Sequence, residues 1–480
     1  MRLSLPRLLR RRVLGGRRRT RSKRRGVALI MVLGALTILT VMLAEFQDET
    51  SAEFGSALSQ RDAIKAEYAA RSAVNLSRLL IASEPTIRRG LAPLFLLMKQ
   101  APPQIPVWEF ASQVLGAFND ADGAESFKLL AGVDIGEGEN LGLEGASFEV
   151  KVVDEDSKIN LNVAARGDAF SQARLAQQLI GLLAGPQYDP LFEGRDRDGQ
   201  FSDRQTICSA LIDWVDPDQD AYVCDPHSGS AQQAGAEDSF YQLLKTPYVR
   251  KNAAFDSLEE VRLVRGVGDD FWSTFIDPDP DNPDKRVVTV WGQGQINVNT
   301  ANGQTILAVV CGAAVPGSPL CTDPAEAAKF LGAMTMVKGF TAGAPLFGTP
   351  KAFLSAIKGR GMFGSVLAAL EMKPVALLSE SELLKAVTTQ SKVFSVYATG
   401  VVKAGKRETR VRVHAVVDYR GVPTIESTGL GALLSQGAGP TGAVSSTPPE
   451  QNLPDGATEG AIGAALTPGP GGNVIYYRID

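Results

Sequence analysis

Three carboxylates stand at alternate positions in Asp216-Pro217-Asp218-Gln219-Asp220, a turn that follows a stretch of helical character. That spacing lets several oxygens converge on one hard cation, and Glu237 and Asp238 of the segment GAED could complete the shell. Calcium suits such a loop better than magnesium, because it takes roughly six to eight oxygens in relaxed geometry. The run lacks the Gly and Glu spacing of an EF-hand, and the same residues also read as a solvated acidic turn. Two further clusters, Asp196-Arg197-Asp198-Gly199 and Asp277-Pro278-Asp279-Pro280-Asp281, have similar density. Both read as solvated turns, and Arg197 would repel a cation.

Catalytic chemistry finds little support. The only histidines are His227, in a Pro/Ser/Gly loop, and His414, inside an expected strand where a structural role fits better. No nucleophile elbow, zinc-protease or phosphate-loop pattern occurs, so turnover is not expected. The stretch Arg262-Leu263-Val264-Arg265-Gly266-Val267-Gly268 resembles a helix-hairpin-helix turn, which can hold DNA phosphate on backbone N–H groups. Glu259, Glu260, Asp269 and Asp270 flank it, so a structural hairpin without nucleic acid is expected.

The elements that position these residues begin at a basic end. Residues 1–25 carry eleven Arg, one Lys and no carboxylate, and the rest of the chain keeps 37 bases against 53 acids. From Val27 to Ala44 the chain is uncharged, and eighteen residues at 1.5 Å each reach roughly 27 Å, enough to cross a bilayer's hydrocarbon core. The positive flank places the N-terminus in the cytoplasm and exports the body. On an exported body the even cysteine count suits local disulfides, Cys208 with Cys224 and Cys311 with Cys321. The other reading is four unrelated small buried residues.

A secretory signal would place small residues after the apolar run, but here Gly26 precedes it, in Arg24-Arg25-Gly26-Val27. That order resembles the type IV pilin and pseudopilin class, in which a membrane peptidase cuts after Gly and the apolar helix stays on the mature chain. Cutting between Gly26 and Val27 makes Met31 the fifth mature residue, where the class usually has Glu to compensate a neighbour's N-terminal amine. A subunit with nothing ahead of it lacks that amine, so the resemblance implies a place at the filament tip. The segments GVALIMVLGALTIL, VKVVDEDSKINLN, LIDWVDPDQD, GAEDSFY, SLEEVRLVRGVGDDFW and INVNTAN, in that order, resemble the type II secretion system protein K family of large minor pseudopilins.

The resemblance implies an α+β, type IV pilin-like fold with a large inserted α-helical domain of two SAM-like, helix-hairpin-helix modules. It also implies calcium bound in the helical domain, and as partners the other minor pseudopilins, the prepilin peptidase and the inner membrane. The residues divide accordingly: a cleaved leader over 1–26, a helix over 27–85, the first part of the pilin body over 86–162, the insertion over 163–390, and C-terminal strands over 391–480. Alternation predicts strands at Phe148–Val153, 393–404 and 409–419, with a hairpin around Gly405-Lys406, then short VPTIES and VIYYRID strands. Within the insertion, short helices are expected at Gln172–Leu183, Arg204–Trp214, Leu258–Leu263, Gln304–Val310 and Ala325–Leu331. The Gly/Ala/Pro/Ser-rich stretch 430–472 reads as a flexible loop. Two rival readings remain, a signal-anchored periplasmic metal-binding or hydrolytic protein and a DNA-uptake pilus component.

Overall fold

The computed structural model describes residues 25–97, 102–119, 143, 145–195, 199–225, 231–236, 239–340, 344–405, 407–422 and 471–480. These fall into two compact units, Met1–Asp62 and Ala63–Asp480. In the first unit a helix that begins at Arg25 exposes every side chain from Val27 to Phe54, apolar ones included. Its most apolar window has a mean hydropathy of 2.7 and no buried residue. Thr37 and Thr40 return their hydroxyls to the carbonyls of Gly34 and Leu36, so these polar groups are satisfied within the helix itself.

The same helix runs to Leu97, past the expected boundary at residue 85 and through Pro85 and Pro93. Tertiary contacts outweigh the proline penalty. Ile81, Ala82 and Glu84 are buried, the Ser83 hydroxyl donates to Leu80 O, and the Glu84 carboxylate accepts Ile105 N at 3.0 Å.

In the second unit this helix packs on a four-stranded antiparallel sheet built from Ala146–Asp154, Val393–Ala404, Arg407–Asp418 and Asn473–Ile479, in that spatial order. Register pairs Val152 with Val396, and Ala398 with Val413, which aligns the apolar alternation on the helix-facing side. Ala66, Ala69, Ala70 and Ala73 recur at helical spacing and are all buried. The helix comes so close at Ala66 that a Cβ on Gly400 would lie 1.8 Å from the Ala66 carbonyl oxygen. Trp108 and Phe394, 4.6 Å apart, close one end of this core.

Everything from Glu155 to Lys392 is inserted between the first and second strands. Its own core joins Leu175, Leu179, Ile207, Leu211, Val261 and Phe275, all at most 2% exposed. The helices Ala169–Leu183 and Gly303–Ala313 cross at glycines: a Cβ on Gly181 would meet Ala308 O, and one on Gly312 would meet Gln177 O. Leu258–Leu263 is a 3₁₀ turn, and the helix expected over Ala325–Leu331 runs from Pro324 to Phe340. Pro350–Ile357, Gly361–Ala369 and Glu380–Ala386 add helices that the sequence reading did not single out. The hairpin turns at Gly405, whose φ of +65° favours glycine, and the VIYYRID strand forms at Asn473–Ile479. The VPTIES segment beyond Val422, and most of the 430–472 loop, lie outside the described residues.

Candidate functional site

The acidic turn is set by the helix before it. Asp203 caps that helix, its carboxylate accepting Thr206 N at 2.8 Å, and the helix runs over Arg204–Asp213 before ending at the buried Trp214. Pro217 prevents continuation and packs where Gly167, at φ +69°, has no Cβ to meet it.

Within the turn, Asp216 is fully buried. One carboxylate oxygen accepts Gln172 Nε2 at 3.1 Å, and among the described residues the other has no hydrogen-bond partner. Asp218 is more exposed; its carboxylate accepts Asp220 N at 2.9 Å, and its carbonyl accepts from Arg250 and Asn252. Asp220 is exposed at the start of a short strand, Asp220–Val223.

Sequence reasoning missed two members of this cluster. Asp213 lies three residues before Asp216, and its carboxylate accepts Tyr222 N at 2.8 Å. Asn252 arrives from a distant loop at a positive φ of 48°, and its Oδ1 is buried with no partner among the described residues. Burial pushes Asp213 up to about 7, aided by the charges of Asp216 and Asp218. Burial, then the charge of Asp218, pushes Asp216 up to about 7 as well. Arg250 is the nearby cation, and it donates to the carbonyls of Asp213 and Asp218.

Two buried orphan oxygens and a set of carboxylates and carbonyls form a donor set whose hardness fits calcium. Glu237 and Asp238 lie outside the described residues. Among the described residues, no group of three or more His, Cys, Asp or Glu is arranged to hold a metal. The turn therefore supplies oxygens of the right chemistry without converging three carboxylates on one point among the described residues.

A disulfide joins Cys208, on the helix before the turn, to Cys224, after the short strand that follows it. A second joins Cys311 to Cys321. These close loops with sequence separations of 16 and 10, for which chain-entropy arguments give about 3 kcal/mol each. Gly26 lies in the first turn of the long helix, and Val27 and Met31 are exposed along it. The hairpin resembling a DNA-binding turn is internally engaged: Arg262 pairs with Asp269 at 2.7 Å and stacks over the Trp272 ring at 3.9 Å. In the rival acidic cluster, Asp277 pairs with Arg286 and Asp279 with Lys285, each at 2.9 Å, whereas Asp196 and Asp198 lie outside the described residues.

A long helix, apolar in its first half and packed on an antiparallel sheet in its second, gives a pilin-like fold, here with a large helical insertion. Residues 157–274, which carry the acidic turn and the first disulfide, match the family model described as Type II secretion system (T2SS), protein K. The match covers 157–274 of the 480 residues, so it shows a protein K domain in the first part of the insertion. A chain of the GspK-GspI-GspJ complex from the enterotoxigenic Escherichia coli Type 2 Secretion System is similar at 16% identity and a TM-score of 0.35, covering 58% of this chain and 76% of that one. No curated protein matches the chain.

Proposed function

We propose that this protein is a minor pseudopilin that caps the tip of the periplasmic pseudopilus and helps start its assembly, for protein export across the outer membrane. What carries the reading is the union, in one chain, of a protein K domain over residues 157–274 and an exposed apolar helix of membrane-spanning length, the one such helix among the described residues. Prepilin peptidase would cut between Gly26 and Val27 and discard the basic leader, and the new amine would be methylated. The helix from Val27 then anchors the subunit in the inner membrane, single-pass, with the N-terminus cytoplasmic and the body periplasmic, as the positive flank favours. Its partners are other minor pseudopilins, which meet it through that helix. Nucleic acid is not a partner, because the acidic body would repel phosphate. Its work is assembly rather than catalysis.

Calcium would be held by oxygens of Asp213, Asp216, Asp218 and Asn252, with Asp220, Glu237 and Asp238 available to complete the shell. Its contribution is structural, neutralising carboxylates that otherwise repel one another in a buried turn. Mass spectrometry of the mature chain tests the assignment: a methylated N-terminus at Val27, with co-purifying minor pseudopilins, is the expected result. An intact leader on a protein that co-purifies with none of them would favour the signal-anchored rival, and salt-dependent retention on DNA would favour the DNA-uptake rival.

A further inference from the structure

The insertion leaves the sheet after Asp154 and returns to it at Val393, so the chain crosses twice at one place. Three consecutive acids are buried there, with Asp154, Glu155 and Asp156 exposed by 5%, 2% and 1%. Glu155 has its own cation, Lys158 Nζ at 3.1 Å, and also accepts the Thr289 hydroxyl. Asp154 and Asp156 make no ion pair among the described residues and are held by hydrogen bonds that reach across the junction.

Asp154 accepts Asp156 N at 2.9 Å and the hydroxyls of Thr300 and Ser391. Asp156 accepts Gln293 N at 2.6 Å with one oxygen, and Lys392 N at 2.7 Å and Val393 N at 3.1 Å with the other. The difference in donor type matters. Backbone N–H groups can only donate, so Asp156 is held as an acceptor and therefore as a carboxylate. Hydroxyls donate or accept, so Asp154 can carry a proton and donate it to Ser391 or Thr300 without losing either partner.

We propose that Asp154 and Asp156 form a one-proton latch at the root of the insertion. With Asp154 protonated and Asp156 ionised, the pair ties the departing strand to the returning one and to the loops at 292–293 and 300. With both ionised, two unscreened buried charges repel and the insertion loosens from the sheet.

The hydrogen-bond donors place the proton on Asp154, and burial raises both carboxyls above their ordinary range. Burial pushes Asp154 up to about 6, and burial together with the charge of Asp154 pushes Asp156 up to about 7, so the two lose protons as one unit near neutrality. The other charged groups facing the pair are Lys158 and Glu155 on the same segment, Glu109 from the 107–110 turn, and Arg420 beyond the third strand. Arg286 and His414 face Glu155. Because both folded-state values stand above those of free carboxyls, the pair's stabilisation is lost as pH rises through about 6 to 7, when the shared proton leaves. His414, pushed down to about 4 by burial, runs the other way, losing stability as pH falls. The unfolded imidazole titrates at about 6.5, so across the latch's window His414 adds stability as pH rises and opposes the expected loss instead of imitating it.

Hydrogen exchange on the full chain in detergent reads the latch directly, with protection of the amides of Gln293, Lys392 and Val393 corrected for the intrinsic rate. Protection should fall at least tenfold between about pH 6 and about pH 8. Asp154→Asn, whose amide can donate to the same hydroxyls, should stay protected throughout. Asp156→Asn, which places an NH2 among N–H donors, should be unprotected at both. Thr300→Ala removes a donor to the ionised form of Asp154 and should move the midpoint up by roughly one pH unit. A pH-independent wild type, or an undiminished fall in Asp154→Asn, overturns the latch.

Discussion

Asp216 carries a carboxylate oxygen that is wholly buried and has no donor among the described residues, an arrangement that ordinarily costs free energy. If calcium repays that cost, Asp216→Asn should separate two effects that a structural role would keep together. Without metal the variant should be at least as stable as the wild type, because a buried charge has been replaced by a neutral amide of the same size. With calcium at about a hundred times its dissociation constant, the wild type should gain about 2.7 kcal/mol and the variant should lose most of that gain. Calorimetric melting with and without calcium reads both. Equal calcium responses in the two proteins would leave the turn as an acidic turn that takes no calcium. The neighbours that make the site were not equally legible. Asp216, Asp218 and Asp220 announce themselves by alternate spacing, and Asp213 could have been found as the residue nearly one helical turn before Asp216. Asn252 is brought in by folding alone, and no local pattern marks it. The burial of Asp154 and Asp156 was equally hidden, because the segment reads as a polar turn and nothing in its residues says that the insertion folds back over it.

At the scale of elements, the strands were the most legible part. Phe148–Val153, 393–404 and 409–419 alternate cleanly, and the sheet places their pairing where that alternation requires. The helices of the later insertion carried signals of a different kind: Thr349 accepts Ala352 N ahead of Pro350, and Ser379 caps a helix with Glu382 at its third position. Apolar spacing is a poor guide there because these helices are short and buried on several sides. The continuation through Pro85 was hidden for another reason, since packing of Ile81 and Glu84 decides it and local propensity argues against it. The closest approach between elements is at Gly400, where an added Cβ would lie 1.8 Å from Ala66 O. Gly400→Ala should therefore push the long helix off the sheet and destabilise the body by about 1–3 kcal/mol, measured by denaturant unfolding. A variant as stable as the wild type would mean that helix and sheet do not pack as tightly as this geometry requires.

For the whole molecule, the proposed loss of the basic leader would decide what the apolar helix meets. Met31 would be the fifth residue after the proposed cut at Gly26 and is apolar where pilin-class subunits usually carry Glu. In a filament interior that glutamate meets the amine of the subunit ahead, and its charge is compensated; at the tip there is no subunit ahead. Met31→Glu therefore asks the molecule where it sits. At a tip the new carboxylate stays uncompensated in the membrane, at up to about 2.5–3.5 kcal/mol for a charge at the centre of a span and less near its end. Pseudopilus initiation and recovery of the minor-pseudopilin complex should then fall. In an interior position the same glutamate finds its amine, and assembly is maintained or improved. Immunoblotting of sheared pseudopili together with co-purification from membranes distinguishes the two, and improved assembly with Met31→Glu would move the protein from the tip into the shaft.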